Sequence, residues 1–160
     1  MAYVLDYLQG RGAVFTVIPH PTAPTARREA RALHVPEDIV AKTVVVITRQ
    51  GPALTVIPSS RSLDMGLVAR AVADPLVRLA TERELADRFP TYELGALPPL
   101  SMLLMAPMYV DPAIAELDEV VFAAGRRDVS IRMSTRDLFG SDPVVITPLT
   151  AESRVPAPSR

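Results

Sequence analysis

The chain has no cysteine, which excludes disulfides, thiolate metal sites and a cysteine nucleophile by inventory. Histidine is nearly absent too, and the two that occur, His20 and His34, form no HExxH-type pair. A histidine-based zinc site is therefore not expected, although counting leaves a carboxylate-rich metal site open. No stretch approaches the roughly 18 uninterrupted apolar residues of a membrane span. The first ten residues carry Asp6 and lack a basic segment followed by an apolar one, so the expectation is a cytoplasmic protein with no membrane partner. The formal net charge of -1 lacks the strong basicity of a non-specific nucleic-acid binder, so any RNA contact has to be local. Lysine is the scarcest charged residue: of 17 basic side chains, Lys42 alone is a lysine and the rest are arginines. A preference for arginine codons explains the arginines. The lysine that survives such a bias stands out, because a compact ammonium on a flexible stem does work that a planar guanidinium does not.

What is present suits a globular domain. A chain of 160 residues fits one domain and buries roughly 70% of its unfolded surface, and 49% hydrophobic with 22% charged residues is ordinary composition for such a fold. Periodicity and punctuation predict a helix over 2–9, a strand over 14–18, and a non-helical segment over 19–24 where three prolines intervene. Thr25 reads as the N-cap of a helix to Leu33. An apolar β-branched run over 40–48 pairs as a hairpin with 53–57 across Gly51-Pro52. A helix over 63–72 follows, which Ser59 or Ser60 would cap. Then come a strand over 76–79, a Thr81-x-x-Glu84 capping box opening a helix to Phe89, a loop over 90–99, and a strand over 102–110. One helical turn after Asp111, strands over 119–123 and 129–133 around a Gly125–Asp128 turn, a short helix to Phe139 and a strand over 144–146 complete the list. The fold class is α/β (α+β): one domain over 1–149, a mixed, partly closed, barrel-like sheet flanked by short helices. Residues 150–160 are expected to form a disordered tail.

Two places invite chemistry. Alternation along the 40–48 strand puts Lys42, Val44 and Val46 on one face and Thr43, Val45 and Ile47 on the other, so one face opens with a charge. Lys42 either snorkels to water at the strand's start or lines a pocket, where its ammonium would grip a carbonyl, phosphate or ribose oxygen. The loop Gly95-Ala96-Leu97-Pro98-Pro99 offers backbone N–H groups from its first three residues on a frame stiffened by prolines, a geometry suited to a carbonyl or oxyanion. His20 lies in a proline-rich loop beside a helix start, Ser59 follows a strand end, and Arg126 and Arg127 belong to a local basic cluster. Each has a structural or solvent-exposed reading beside a binding one.

Together these residues resemble a known family, the YbaK and prolyl-tRNA-synthetase-associated editing domains. The resemblance spans most of residues 15–147. It rests on His20-Pro21 with Thr25 before a helix, Val40-Ala41-Lys42-Thr43 opening a strand, Val56-Ile57-Pro58 ending the next, and the Gly95–Pro99 GxxxP loop. Val110-Asp111, Glu119-Val120-Val121-Phe122 and Gly125-Arg126-Arg127 extend it. The resemblance implies a YbaK-like fold and a cofactor-free, metal-free deacylase acting in trans on mischarged tRNA, often a proline tRNA, alone or beside a synthetase. It also implies that Lys42 contacts the substrate near the scissile ester, that amides from Gly95 to Pro99 hold the aminoacyl group, and that the substrate's own ribose hydroxyl assists. His20, Thr25, Thr43, Ser59, Ala96, Leu97, Pro98, Pro99 and Gly125 are then expected to line the substrate, with Arg126 and Arg127 toward the tRNA backbone. Two positions depart from the family pattern. The stretch Gly125–Asp128 has no histidine, and Leu97-Pro98 stand where relatives often carry smaller or hydroxyl-bearing residues. The first keeps a non-catalytic binding module for an aminoacyl end or small metabolite as the alternative; the second bars transfer of amino-acid specificity.

Overall fold

The structure, a computed structural model, describes residues 1–151. Helix α1 (Ala2–Gly10) buries Val4 and Leu8 and leads into strand β1 (Phe15–Pro19). Helix α2 (Ala26–Leu33) begins at the predicted cap, with Thr25 Oγ1 accepting from the Arg28 N–H at 3.2 Å. The hairpin β2 (Ala41–Thr48) and β3 (Gly51–Pro58) forms as expected, but its turn is Arg49-Gln50 and not Gly51-Pro52. The reason is local: Thr48 Oγ1 donates to Gly51 O at 2.9 Å and accepts from Gln50 N–H at 3.1 Å, which closes the turn before Gly51.

Helix α3 (Met65–Val72) is capped by Asp64, whose carboxylate accepts from Gly66 and Leu67 N–H. The serines expected to cap it are used elsewhere: Ser59 Oγ donates to Glu37 O at 2.8 Å, and Ser60 bonds Asp38. Strand β4 (Arg78–Leu79) precedes α4 (Glu82–Arg88), where both halves of the Thr81–Glu84 capping box are made. Thr81→Ala should therefore lower stability by about 1 kcal/mol, read as a shift in urea midpoint at constant slope.

The strand predicted over 102–110 is split. Residues Ser101–Leu104 form α5, Met105 turns left-handed at φ 55°, and only Met108–Val110 is strand, β5. An unbroken apolar run fits either period. Here the Asp142 carboxylate accepts from Met102 N–H at 3.2 Å and Ser101 Oγ donates to Ala106 O at 2.7 Å, so contacts distant in sequence decide for the helix. After α6 (Pro112–Ala115), capped by Asp111, come β6 (Glu119–Arg126), β7 (Val129–Ser134), α7 (Thr135–Phe139) and β8 (Val145–Ile146). Gly125 and Arg126 continue β6 past a bulge, leaving Arg127-Asp128 as the turn.

Two sheets result. One has the order β1-β7-β6 and is antiparallel; the other runs β4-β2-β3-β5-β8 and is mixed, because β5 lies parallel to both β3 and β8. A parallel bridge from Val40 to Val121 joins them, which is the partial closure expected of a barrel-like core. Leu54, Met108, Phe122, Ile131 and Leu138 from both sheets and α7 are fully buried between them, each contributing roughly 1.5–3 kcal/mol of transfer free energy. The far face of the larger sheet buries Val46, Ala53 and Ile57 under Val68 of α3. No helix among the described residues is long and apolar enough to cross a membrane.

The chain is still fastened to the fold at Thr150, one residue past Leu149. Thr150 is buried, and its N–H and hydroxyl both donate to Asp111 Oδ2, at 3.1 and 3.0 Å. Leu149 N–H donates to the same oxygen, so one buried carboxylate fastens the chain here. The rest of the expected tail, 152–160, lies outside the described residues.

Candidate functional site

Three segments far apart in sequence are tied together by backbone bonds. His20 N–H donates to Asp128 O at 2.9 Å and Ala23 N–H to Arg127 O at 2.7 Å, binding the segment before α2 to the β6–β7 turn. Glu93 N–H donates to Gly125 O at 3.0 Å and Gly125 N–H to Ala96 O at 2.9 Å, binding the GxxxP loop to the bulge of β6. Gly95 completes the triangle. Its φ is +79°, and a Cβ built on it would lie 2.6 Å from Pro24 O, so no side chain fits between these two segments. Gly125, at φ +88°, faces the Tyr92 ring in a similar way. The sequence flagged both glycines; the structure explains them as points of close approach.

Of the three amides expected to be offered by the loop, Ala96 N–H is spent on Glu93 O at 3.1 Å. Those of Gly95 and Leu97 have no backbone partner among the described residues, and Pro98 and Pro99 have no N–H to offer. Pro98 and Pro99 are buried and brace the loop, while Gly95 is exposed. Beneath it lies a small recess of about 10 Å³ lined by Leu85, Phe89, Tyr92, Glu93, Leu94 and Leu97. Two donors with no backbone partner among the described residues, on a loop braced by prolines, can hold a carbonyl oxygen.

Lys42 is half-buried at the start of β2, opposite Ile57. Its ammonium is made more acidic than usual, first by burial and then by the nearby Arg27 guanidinium, with Glu37 opposing. Arg27 itself pairs with Glu37 at 3.4 Å. The lysine therefore sits against the first turn of α2, two residues beyond the Thr25 cap. Thr43 points the other way: it shares its face with Ala41 and Val45 in the main core, and Lys42 shares the opposite one with Val46. Thr43 Oγ1 is buried without a partner among the described residues. A buried hydroxyl left without a partner costs about 1–3 kcal/mol.

The remaining candidates have structural duties. Ser59 ties the strand end to Glu37, and Thr25 caps α2. Arg126 is held by Asp128 in a two-point contact at 3.0 and 2.9 Å, which lowers the Asp128 pKa, and Arg127 Nε donates to Leu94 O at 2.7 Å. Both arginines thus brace the loops, and a contact with the tRNA backbone would have to share them. Two residues went unnoticed in the sequence. Glu29 is 3% exposed and Ser130 is fully buried, with Ser130 Oγ donating to Glu29 Oε1 at 2.8 Å. Burial raises the Glu29 carboxyl to about 7 against the opposing effect of that bond. The signal was available: Ala26, Ala30 and Leu33 form the apolar stripe of α2, and helical spacing places Glu29 in it.

A family model for the aminoacyl-tRNA editing domain matches residues 20–141, most of the chain. None of the curated proteins matches it in sequence. Among solved structures, a candidate trans-editing enzyme for prolyl tRNA synthetase superposes with a TM-score of 0.80 at 24% identity, covering 94% of this chain and 96% of that one. A hypothetical protein gives 0.84 at 23% identity, covering 93% and 99%. A scaffold used for computational grafting of epitopes gives 0.82 at 22% identity, covering 94% and 96%. At these identities the likeness is one of fold.

Proposed function

The chain belongs to the aminoacyl-tRNA editing domain family, and from that premise we propose that it hydrolyses the ester of mischarged tRNA in trans, with a proline-type tRNA as substrate. The observation that carries this reading is the pair of amides at Gly95 and Leu97, which have no backbone partner among the described residues, above a small recess. In it, the aminoacyl carbonyl accepts from these N–H groups, and its side chain rests against the apolar rim of the recess, whose volume of about 10 Å³ holds no more than a water. Donors already in place when charge develops on that oxygen stabilise the tetrahedral intermediate without reorganising. Lys42 serves as an electrostatic clamp on oxygens of the terminal nucleotide. Its half-buried setting strengthens that attraction relative to bulk water. Water attacks the carbonyl carbon with help from the substrate's own ribose hydroxyl, so no protein nucleophile and no cofactor is called upon. An activated ester needs little more than positioning and electrostatics.

The test is a panel of tRNAs carrying wrong amino acids, incubated with the protein or with buffer. Faster release from a proline tRNA carrying a small or similar amino acid is expected. Equal release with and without protein across the panel removes the proposal. The second reading, a binding module that has lost turnover, draws on the Gly125–Asp128 turn, which has no histidine. Tight binding of a non-hydrolysable aminoacyl-adenosine analogue without deacylation would favour it.

A further inference from the structure

Glu29, buried on α2, has one side-chain partner among the described residues, Ser130 Oγ at 2.8 Å. Ser130 lies in turn 2.7 Å from His20 Nε2, and His20 Nδ1 is 2.8 Å from Pro21 O. We propose that Glu29, Ser130 and His20 form a proton relay, in which Glu29 is the buried store, Ser130 passes the proton, and His20 is the outlet beside the cradle loops.

The bonding pattern permits two proton arrangements. A carbonyl oxygen only accepts, so Nδ1 of His20 carries hydrogen. If Glu29 is ionised it only accepts, Ser130 must donate to it, and Ser130 must then accept from Nε2–H; His20 is an imidazolium. If Glu29 is protonated, its O–H donates to Ser130, whose hydroxyl donates to a bare Nε2; His20 is neutral. Both arrangements hold the same number of protons. They interconvert when the Glu29 O–H breaks as a new Ser130 O–H forms, and the original Ser130 O–H breaks as Nε2–H forms. No other reactant takes part, and the net charge of the trio is unchanged.

The surroundings of the two ends differ. Beside Glu29, α2 presents Ala26 and Ala30 to Val40 and Val121, an apolar setting that favours the protonated acid. At the other end, the His20 ring lies near the Asp128 carboxylate, which is also paired with Arg126. Of the other nearby cations, Arg127 is committed to Leu94 O, and Arg132, on the Ser130 face of β7, to Glu119. Glu29 and Ser130 are thus positioning residues for His20. The relay does not depend on the deacylase reading, but its use at the site does. When the ester breaks, the ribose oxygen leaves with the bonding pair and takes up a proton, and His20 holds one next to the loops that would seat that ester.

The test is a pH titration by NMR of the intact protein, following the His20 imidazole nitrogens and the Glu29 carboxyl carbon. Two groups that share a proton titrate as one unit, so both signals should report the same two midpoints in the wild type. Glu29→Gln and Ser130→Ala should each leave His20 with a single midpoint moved by about one pH unit, while exposed His34 stays where it was. Separate midpoints for His20 and Glu29 in the wild type overturn the relay, as does a His20 curve that Glu29→Gln leaves unmoved. The wild-type titration decides alone if a variant fails to fold. Deacylation measured on the same samples judges the other reading: shared midpoints without hydrolysis keep the relay and remove the editing role, and hydrolysis with independent midpoints does the reverse.

Discussion

Lys42→Ala should slow hydrolysis of mischarged tRNA about 100-fold, the loss typical of removing one preorganised electrostatic contact from a transition state. The fold should hardly notice. Burial and Arg27 already work against the Lys42 ammonium, so its removal relieves a desolvation cost along with the packing of its stem, and the melting temperature should stay within a few degrees. Activity and stability are thereby separable in one variant. Lys42→Arg sharpens the point. If a positive charge were all that mattered, arginine would restore the rate; a clamp that needs a compact ammonium should stay at least about 10-fold slow with the planar guanidinium. Single-turnover rates on one mischarged tRNA, with thermal melts of the same samples, decide the matter. A Lys42→Ala protein that deacylates at the wild-type rate would sink the assignment.

Gly95→Ala should impair both folding and activity, and Gly12→Ala supplies the control. Both glycines have positive φ, +79° and +72°, so each substitution carries the left-handed penalty of roughly 1–2 kcal/mol. A Cβ on Gly12 meets nothing within 4 Å, whereas on Gly95 it falls 2.6 Å from Pro24 O, a backbone atom held by the neighbouring Ala23–Arg127 bond. Something must shift at Gly95 and nothing need shift at Gly12. The expected losses are about 1 kcal/mol for Gly12→Ala and about 3 kcal/mol for Gly95→Ala, with deacylation lost only in the latter because the free amides move with the loop. Equal effects in chemical denaturation and equal rates would show that the close approach of the two segments has no bearing on the site.

How much could be read in advance differs from element to element. Caps and boxes were legible because they are local: Thr25, Thr81 with Glu84, and Asp111 each bond within three residues. The opposite faces of Lys42 and Thr43 were also legible, since alternation is a property of any strand. The 102–110 run was not, because its helical half depends on Asp142 some forty residues later. Ser59 and Ser60 were misassigned for the same reason: their partners, Glu37 and Asp38, belong to a turn reached only after β2 and β3 pair.

The site divides along the same line. The sequence by itself determined which groups are available: one lysine, no thiol, two histidines, and a glycine followed by paired prolines. It also carried enough pattern to indicate the family, and the matching family model covers residues 20–141. Only the tertiary structure decided which loop amides remain unpaired, that Arg126 and Arg127 are already engaged, and that Glu29, Ser130 and His20 meet. Spacing along a chain fixes local bonds, whereas burial and long-range hydrogen bonds depend on where distant segments come to rest. Glu29 and Ser130 are 101 residues apart, and only the packing of α2 against the β6–β7 hairpin makes them neighbours.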